Sequence, residues 1–199
     1  MILYLTFIAF CGIVIALGNA LGWGDHVGWT FLITYGAILL EMVINGATAG
    51  ICRSLPEKWV PYEAKFFHVG KREKNFYEKL QIRKWKDAVP EIGQFTGFRK
   101  NKVVDPKSVE YIERFLLECR YGEVGHIVSC FSSFLIMLLC LIPAVRWTVV
   151  LPIAVIAALM NMPSYIILRY NSYKLDVLYQ ANKKRAAREK RLPTPNSAE

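Results

Sequence analysis

Arg120, Glu123 and His126 stand at successive spacings of three in the stretch Glu118-Cys119-Arg120-Tyr121-Gly122-Glu123-Val124-Gly125-His126. On a helix they share one face. A neutral imidazole near pH 7 can take a proton from a hydroxyl, and a carboxylate beside it can orient the ring, so the pair suits general-base chemistry. Beyond His126 the chain carries no charge until Arg146, long enough to cross roughly 30 Å of hydrocarbon. An ionisable pair at the mouth of a membrane helix is costly unless partnered, which makes it a functional candidate. The plain alternative is a snorkelling pair that caps the helix.

Other groups could join this pair. Asp87 is a second carboxylate able to orient His126, and His68 is the other imidazole near the same interface. Arg83, Lys84, Trp85 and Lys86 precede Asp87, Glu91 follows it, and Asn161, Arg169 and Asn171 belong to the last apolar stretch and its end. With Arg120 they form a substrate-binding set whose cations suit a phosphate-bearing donor or an anionic lipid. His68, His126, Glu123 and Asp87 are also metal-ligand types, but their spacing is not diagnostic and no metal is expected. The chain lacks G-x-S-x-G, H-x-x-x-x-D, Walker and dinucleotide glycine patterns, which removes the serine-hydrolase nucleophile elbow and the nucleotide-binding classes. Its 5 cysteines include no C-x-x-C pair, so neither a disulfide frame nor a zinc site is implied.

The elements that must hold these residues are membrane helices. Apolar residues make up 54% of the chain and the mean hydropathy is +0.27, above the roughly 45–50% of ordinary soluble domains. An all-α integral membrane protein is expected, with four spans at about 2–22, 29–51, 126–145 and 147–168. The first begins without a basic flank and reads as a retained helix rather than a signal peptide. Glu41 and Asn45 share a face in the second span and must look into the protein, as interhelical glue or as part of a site. Residues 52–125 form a helical, basic section between spans 2 and 3, in which Lys71 to Asp87 interleaves lysines with Phe76, Tyr77, Leu80 and Trp85. If helical it can lie on an anionic leaflet with Trp85 at headgroup level, against the plainer reading of a solvated face. Asp105 and Pro106 look like an N-cap and first helical residue. Gly122 and Gly125 could hinge the following helix, and Pro163 should free a carbonyl in the last span. Residues 1–182 read as one membrane domain and 183–199 as a basic disordered tail.

Charge sets the orientation. Of 25 basic residues, 16 fall in 52–124 and 8 in 169–199, leaving Arg146. The positive-inside rule puts both termini and the basic section in the cytoplasm of a multi-pass cell-membrane protein, with Asp25, His26 and Arg146 outside. The basic surplus is thus a topology signal, and no nucleic-acid partner is expected.

Four short motifs in this order resemble one known family. Arg83-Lys84-Trp85-Lys86-Asp87 with Pro90-Glu91, then Glu123-x-x-His126, Asn161-x-Pro163 and Arg169-Tyr170-Asn171 are similar to the small membrane glycosyl-diaponeurosporenoate acyltransferases, over roughly residues 40–175. The resemblance implies transfer of a fatty acyl group from an acyl-CoA or acyl-carrier thioester to a sugar hydroxyl of a carotenoid-like glycolipid, with no bound cofactor. On the residues alone, His126, Glu123 and Asp87 are the catalytic candidates. A non-catalytic membrane scaffold or lipid-binding protein, and a metal-dependent transferase, stay open beside it.

Overall fold

The computed structural model describes residues 2–89 and 103–189. Among these, four helical stretches are long and apolar enough to cross a membrane, and no strand occurs. In chain order α1 is Ile2–Trp23, α2 Val27–Arg53, α3 Lys71–Lys79, α4 Ile82–Trp85, α5 Val109–Ser132 and α6 Trp147–Glu189. A 3-10 segment, Ser133–Leu141, prolongs α5 and completes the third span. The chain therefore leaves the third helical stretch at Leu141, a few residues before the expected 145.

The bundle is built from both ends. At one end Asp25 and Arg146 pair through two hydrogen bonds of 2.8 and 3.0 Å, with Trp23 under the guanidinium at 4.6 Å. The Arg146 bond holds the Asp25 carboxyl below its usual range. The pair joins the α1–α2 turn to the turn before α6, as four antiparallel spans require. In that half Ala37, Ile38, Ile136, Val150, Ile153 and Ala154 form an apolar core. In the other half Ile112, Phe115, Leu116, Cys119, Leu175 and Tyr179 seal α5 against α6. The large exposed side chains of α1, such as Phe7 and Phe10, leave an apolar outer surface, the arrangement of a helix facing lipid.

Several boundaries differ from the sequence expectation. Ser108, not Asp105, caps α5: its Oγ accepts from Tyr111 N at 3.1 Å, while Asp105 Oδ1 accepts from the N–H groups of Lys107 and Ser108. Asp105 thus closes the turn that precedes the helix, a use open to any Asp before a cap. Gly122 and Gly125 do not interrupt α5. A Cβ at Gly122 would come within 2.7 Å of Leu168 Cδ1, so this glycine lets α6 approach closely instead of hinging the helix. The expected tail boundary at 183 falls inside α6, which continues to Glu189. Lys71 to Asp87 is two helices and a turn, because Gln81 takes φ +53° between α3 and α4.

Both prolines inside α6 are accommodated without a break. Pro152 has no N–H for the Thr148 carbonyl, which instead accepts from Asn19 Nδ2 of α1 at 3.2 Å. Thr148 Oγ1 donates back to Asn19 Oδ1 at 2.5 Å. Near Pro163, Tyr4 of α1 donates to the Met160 carbonyl at 3.2 Å.

Candidate functional site

Residues three apart on a helix are turned by about 60° from one another, and along α5 that angle separates two polar clusters. Glu123 and His126 look toward different neighbours.

Glu123 is fully enclosed at 0% exposure. Ser172 Oγ donates to its Oε1 at 2.6 Å and Arg169 Nη1 to its Oε2 at 3.2 Å. Arg169, 5% exposed, also forks onto both Glu73 oxygens at 2.9 Å through Nε and Nη2, and Nη1 donates to the Phe66 carbonyl at 2.5 Å. Tyr77 adds a 2.6 Å bond to Glu73 Oε1. One guanidinium thus sits between two carboxylates and fastens α3, the turn Lys65–Phe67 and α5 to α6. Burial by itself would raise the Glu73 carboxyl, but the Arg169 and Tyr77 bonds and the Arg169 charge outweigh it and hold the group below its ordinary value. Burial and the bond to Glu73 push the Tyr77 phenol up.

Arg120 is 8% exposed. Its Nε donates to the Val60 carbonyl at 2.9 Å and its guanidinium lies 5.7 Å over the Tyr62 ring. It borders a cleft of about 10 Å³ shared with His68, Ser172 and Asp176, room for roughly one water. Tyr62 donates to Asp176, and burial with that bond pushes its phenol up to about 12. His68 is exposed and meets Tyr62 edge-on at 5.1 Å.

His126, half-buried, turns to α6 instead. Its Nδ1 lies 2.9 Å from Asn161 Oδ1. The Asn161 amide donates to the Ala157 carbonyl at 3.0 Å and to Asn45 Oδ1 at 3.2 Å. Asn45 Nδ2 donates to Glu41 Oε1 at 2.5 Å. Because Asn161 presents its oxygen, Nδ1 must carry the ring hydrogen, which leaves the lone pair on Nε2. Nε2 has no hydrogen bond among the described residues and is not one of their fully enclosed unpaired atoms. The expectation that Glu123 or Asp87 orients His126 is therefore corrected: Asn161 does so, because the α5–α6 packing gives Glu123 to Arg169 and Ser172.

The remaining expected residues fall into two groups. Arg83 and Lys84 are exposed, Arg83 donating to Tyr170 at 2.9 Å and pairing with Glu78 at 3.3 Å. Asp87 is exposed on the turn Lys86–Ala88. Trp85 is held by the protein: its indole N–H donates to the Leu80 carbonyl at 2.9 Å, and the ring packs on the Tyr77, Ile82, Ile167 and Tyr170 cluster. Trp59, Phe66 and Phe76 are exposed aromatics of the section between the second and third spans. Asn171 is buried in α6, and Glu91 lies outside the described residues. Among the described residues no three His, Cys, Asp or Glu side chains gather as a metal site, and His68, His126, Glu123 and Asp87 are not brought together.

Sequence reasoning overlooked Glu73 and Ser172. Glu73 was hidden in a run of lysines and arginines, and its usable signal is the spacing of four to Tyr77. Ser172 follows Arg169 by three, the spacing that puts both on one face of α6.

A family model described as CrtO, glycosyl-4,4'-diaponeurosporenoate acyltransferase, matches residues 61–181. That span contains both clusters apart from Glu41 and Asn45. No curated protein and no solved structure matches the chain.

Proposed function

We propose that this chain, which belongs to the glycosyl-4,4'-diaponeurosporenoate acyltransferase family, moves a fatty acyl group from a thioester donor to a sugar hydroxyl of a membrane glycolipid. The observation that carries the reading is the hydrogen bond of His126 Nδ1 to Asn161, which leaves Nε2 without a protein partner. In the proposed step Nε2 takes the proton of the sugar hydroxyl as its oxygen attacks the thioester carbonyl. The C–O bond forms, the C–S bond breaks, and the imidazolium returns the proton to the leaving thiolate. The donor is an acyl-CoA or acyl carrier, whose phosphates suit the exposed Arg83 and Lys84. Glu123, Arg120 and Arg169 serve by holding the frame, since their polar groups are turned toward the protein. The site faces the cytoplasmic side of the cell membrane, where the basic section lies on the anionic leaflet.

The test uses purified protein in lipid nanodiscs with isotopically labelled acyl-CoA and glycosylated carotenoid or a bacterial lipid extract, read by mass spectrometry. An acyl-shifted glycolipid is expected, and His126→Ala should slow its formation by about 10²–10⁴-fold. Equal transfer by a folded His126→Ala protein would overturn the mechanism. No transfer from either a coenzyme A or a carrier donor would turn the reading to a scaffold.

A further inference from the structure

Glu41 lies near the middle of α2 and is 4% exposed, far inside the apolar part of the bundle. Its Oε2 is the only fully buried side-chain polar atom without a partner among the described residues. Such an atom calls for a reason. Ser133 also stands beside this carboxyl, and the hydrogen bonds that lead from His126 to its other oxygen, Oε1, all point one way. His126 Nδ1 gives to Asn161, Asn161 to Asn45, and Asn45 to Glu41 Oε1. Each amide also has a backbone carbonyl in reach, Ala157 at 3.0 Å from Asn161 Nδ2 and Glu41 at 3.3 Å from Asn45 Nδ2, but the bond of Asn45 to the Glu41 carboxyl oxygen is shorter, at 2.5 Å, and sets which way the Asn45 amide points. A chain of this polarity must end in a group that accepts and does not donate at the contact, which a carboxyl oxygen does. Mere glue between helices would need contact but no direction.

We propose that Glu41 is a positioning residue for His126: through Asn45 and Asn161 it fixes the ring with its hydrogen on Nδ1 and its lone pair on Nε2. The tautomer of an imidazole is set by the bond its other nitrogen makes. Free histidine favours the opposite form, with hydrogen on Nε2. The relay therefore leaves the lone pair on the nitrogen that no protein group occupies, and it spans three helices to do so. Its use in proton transfer rests on the acyl-transfer reading; the relay itself does not.

The tautomer is directly measurable. In full-length protein labelled with ¹⁵N-histidine and held in lipid nanodiscs, His126 is assigned by the signal lost in His126→Gln, and protonated and bare ring nitrogens are told apart by their ¹⁵N shifts. Wild type is expected to show Nδ1–H with Nε2 bare. Glu41→Leu should cut that population about twofold or more, whereas Glu41→Gln, whose carbonyl oxygen can accept from Asn45, should keep it. Should Glu41→Leu fail to assemble, Asn45→Ser makes the same break with a smaller change. Wild type carrying hydrogen on Nε2, or either monodisperse break variant keeping Nδ1–H, would overturn the relay. Because no substrate is present, loss of the acyl-transfer reading is separately visible: an inactive protein with the Nδ1–H form fails that reading alone, and an active protein with the Nε2–H form fails the relay alone.

Discussion

Arg169 shows what a buried charge must have around it. Its guanidinium meets Glu73 with two parallel bonds and Glu123 with a third, the bidentate geometry that lysine cannot reproduce. Removing Arg169 would leave two carboxylates together without their cation, a loss of about 3–5 kcal/mol, whereas removing Glu73 leaves Arg169 paired with Glu123 and costs less. Glu73 also gives the cluster a pH dependence. Its folded-state pKa lies below the ordinary value of 4.5, so its contribution is fully present above that value and is lost as pH falls through the folded pKa. Thermal unfolding in detergent, followed by circular dichroism, should show the midpoint dropping below about pH 4.5; a thiol-reactive dye that reads the buried Cys52, Cys119 and Cys130 serves for melts near neutral pH, where thiolate forms. Glu73→Gln should lower stability at neutral pH and flatten that acid-side slope; an unchanged slope would remove Glu73 from the account. These residues were only half legible in the sequence. The spacing of Arg120, Glu123 and His126 gave a shared face, and Glu41 was expected to look inward, as it does. Which side chain Glu123 or His126 would meet was not legible, because it depends on the axial register of α6 against α5, which no local pattern in either helix encodes.

At the level of elements, α5 and α6 set that register, and Gly122 is where they come closest. A hinge and a close-packing glycine predict different outcomes for substitution. In the packing account Gly122→Ala is tolerated within about 1 kcal/mol, because the Leu168 methyl can turn aside and alanine gains about as much in helix propensity. Gly122→Leu has nowhere to go and should destabilise by about 1–3 kcal/mol, shifting the dye-monitored melt down. A hinge would instead make Gly122→Ala change turnover while leaving stability alone. The helix spans were legible because twenty apolar residues in a row are a strong signal. The start of α5 was misread at Asp105 because Asp favours both caps and turns. The apparent hinge was misread because a glycine that admits a neighbour and one that admits bending look the same in one chain.

At the scale of the whole molecule, the basic residues gather at one end of the bundle and the Asp25–Arg146 pair closes the other. With single cysteines placed in a protein whose own five are replaced, a membrane-impermeant maleimide applied to intact cells should label position 25 and spare position 84. Labelling at 84 would invert the assignment of sides.

The join between Asn19 and Thr148, 129 residues apart, bears on how the chain is made. α1 leaves the ribosome before α6, which carries the carbonyl that Asn19 completes. Until α6 arrives, Asn19 Nδ2 has only the Ile15 carbonyl on its own helix, and its oxygen has no such partner. α1 is then not finished when it is made: the pairing of its Asn19 with Thr148 is completed only when α6 arrives. A nascent chain stopped before Trp147 would offer that group to quality-control machinery as a sign that synthesis is incomplete.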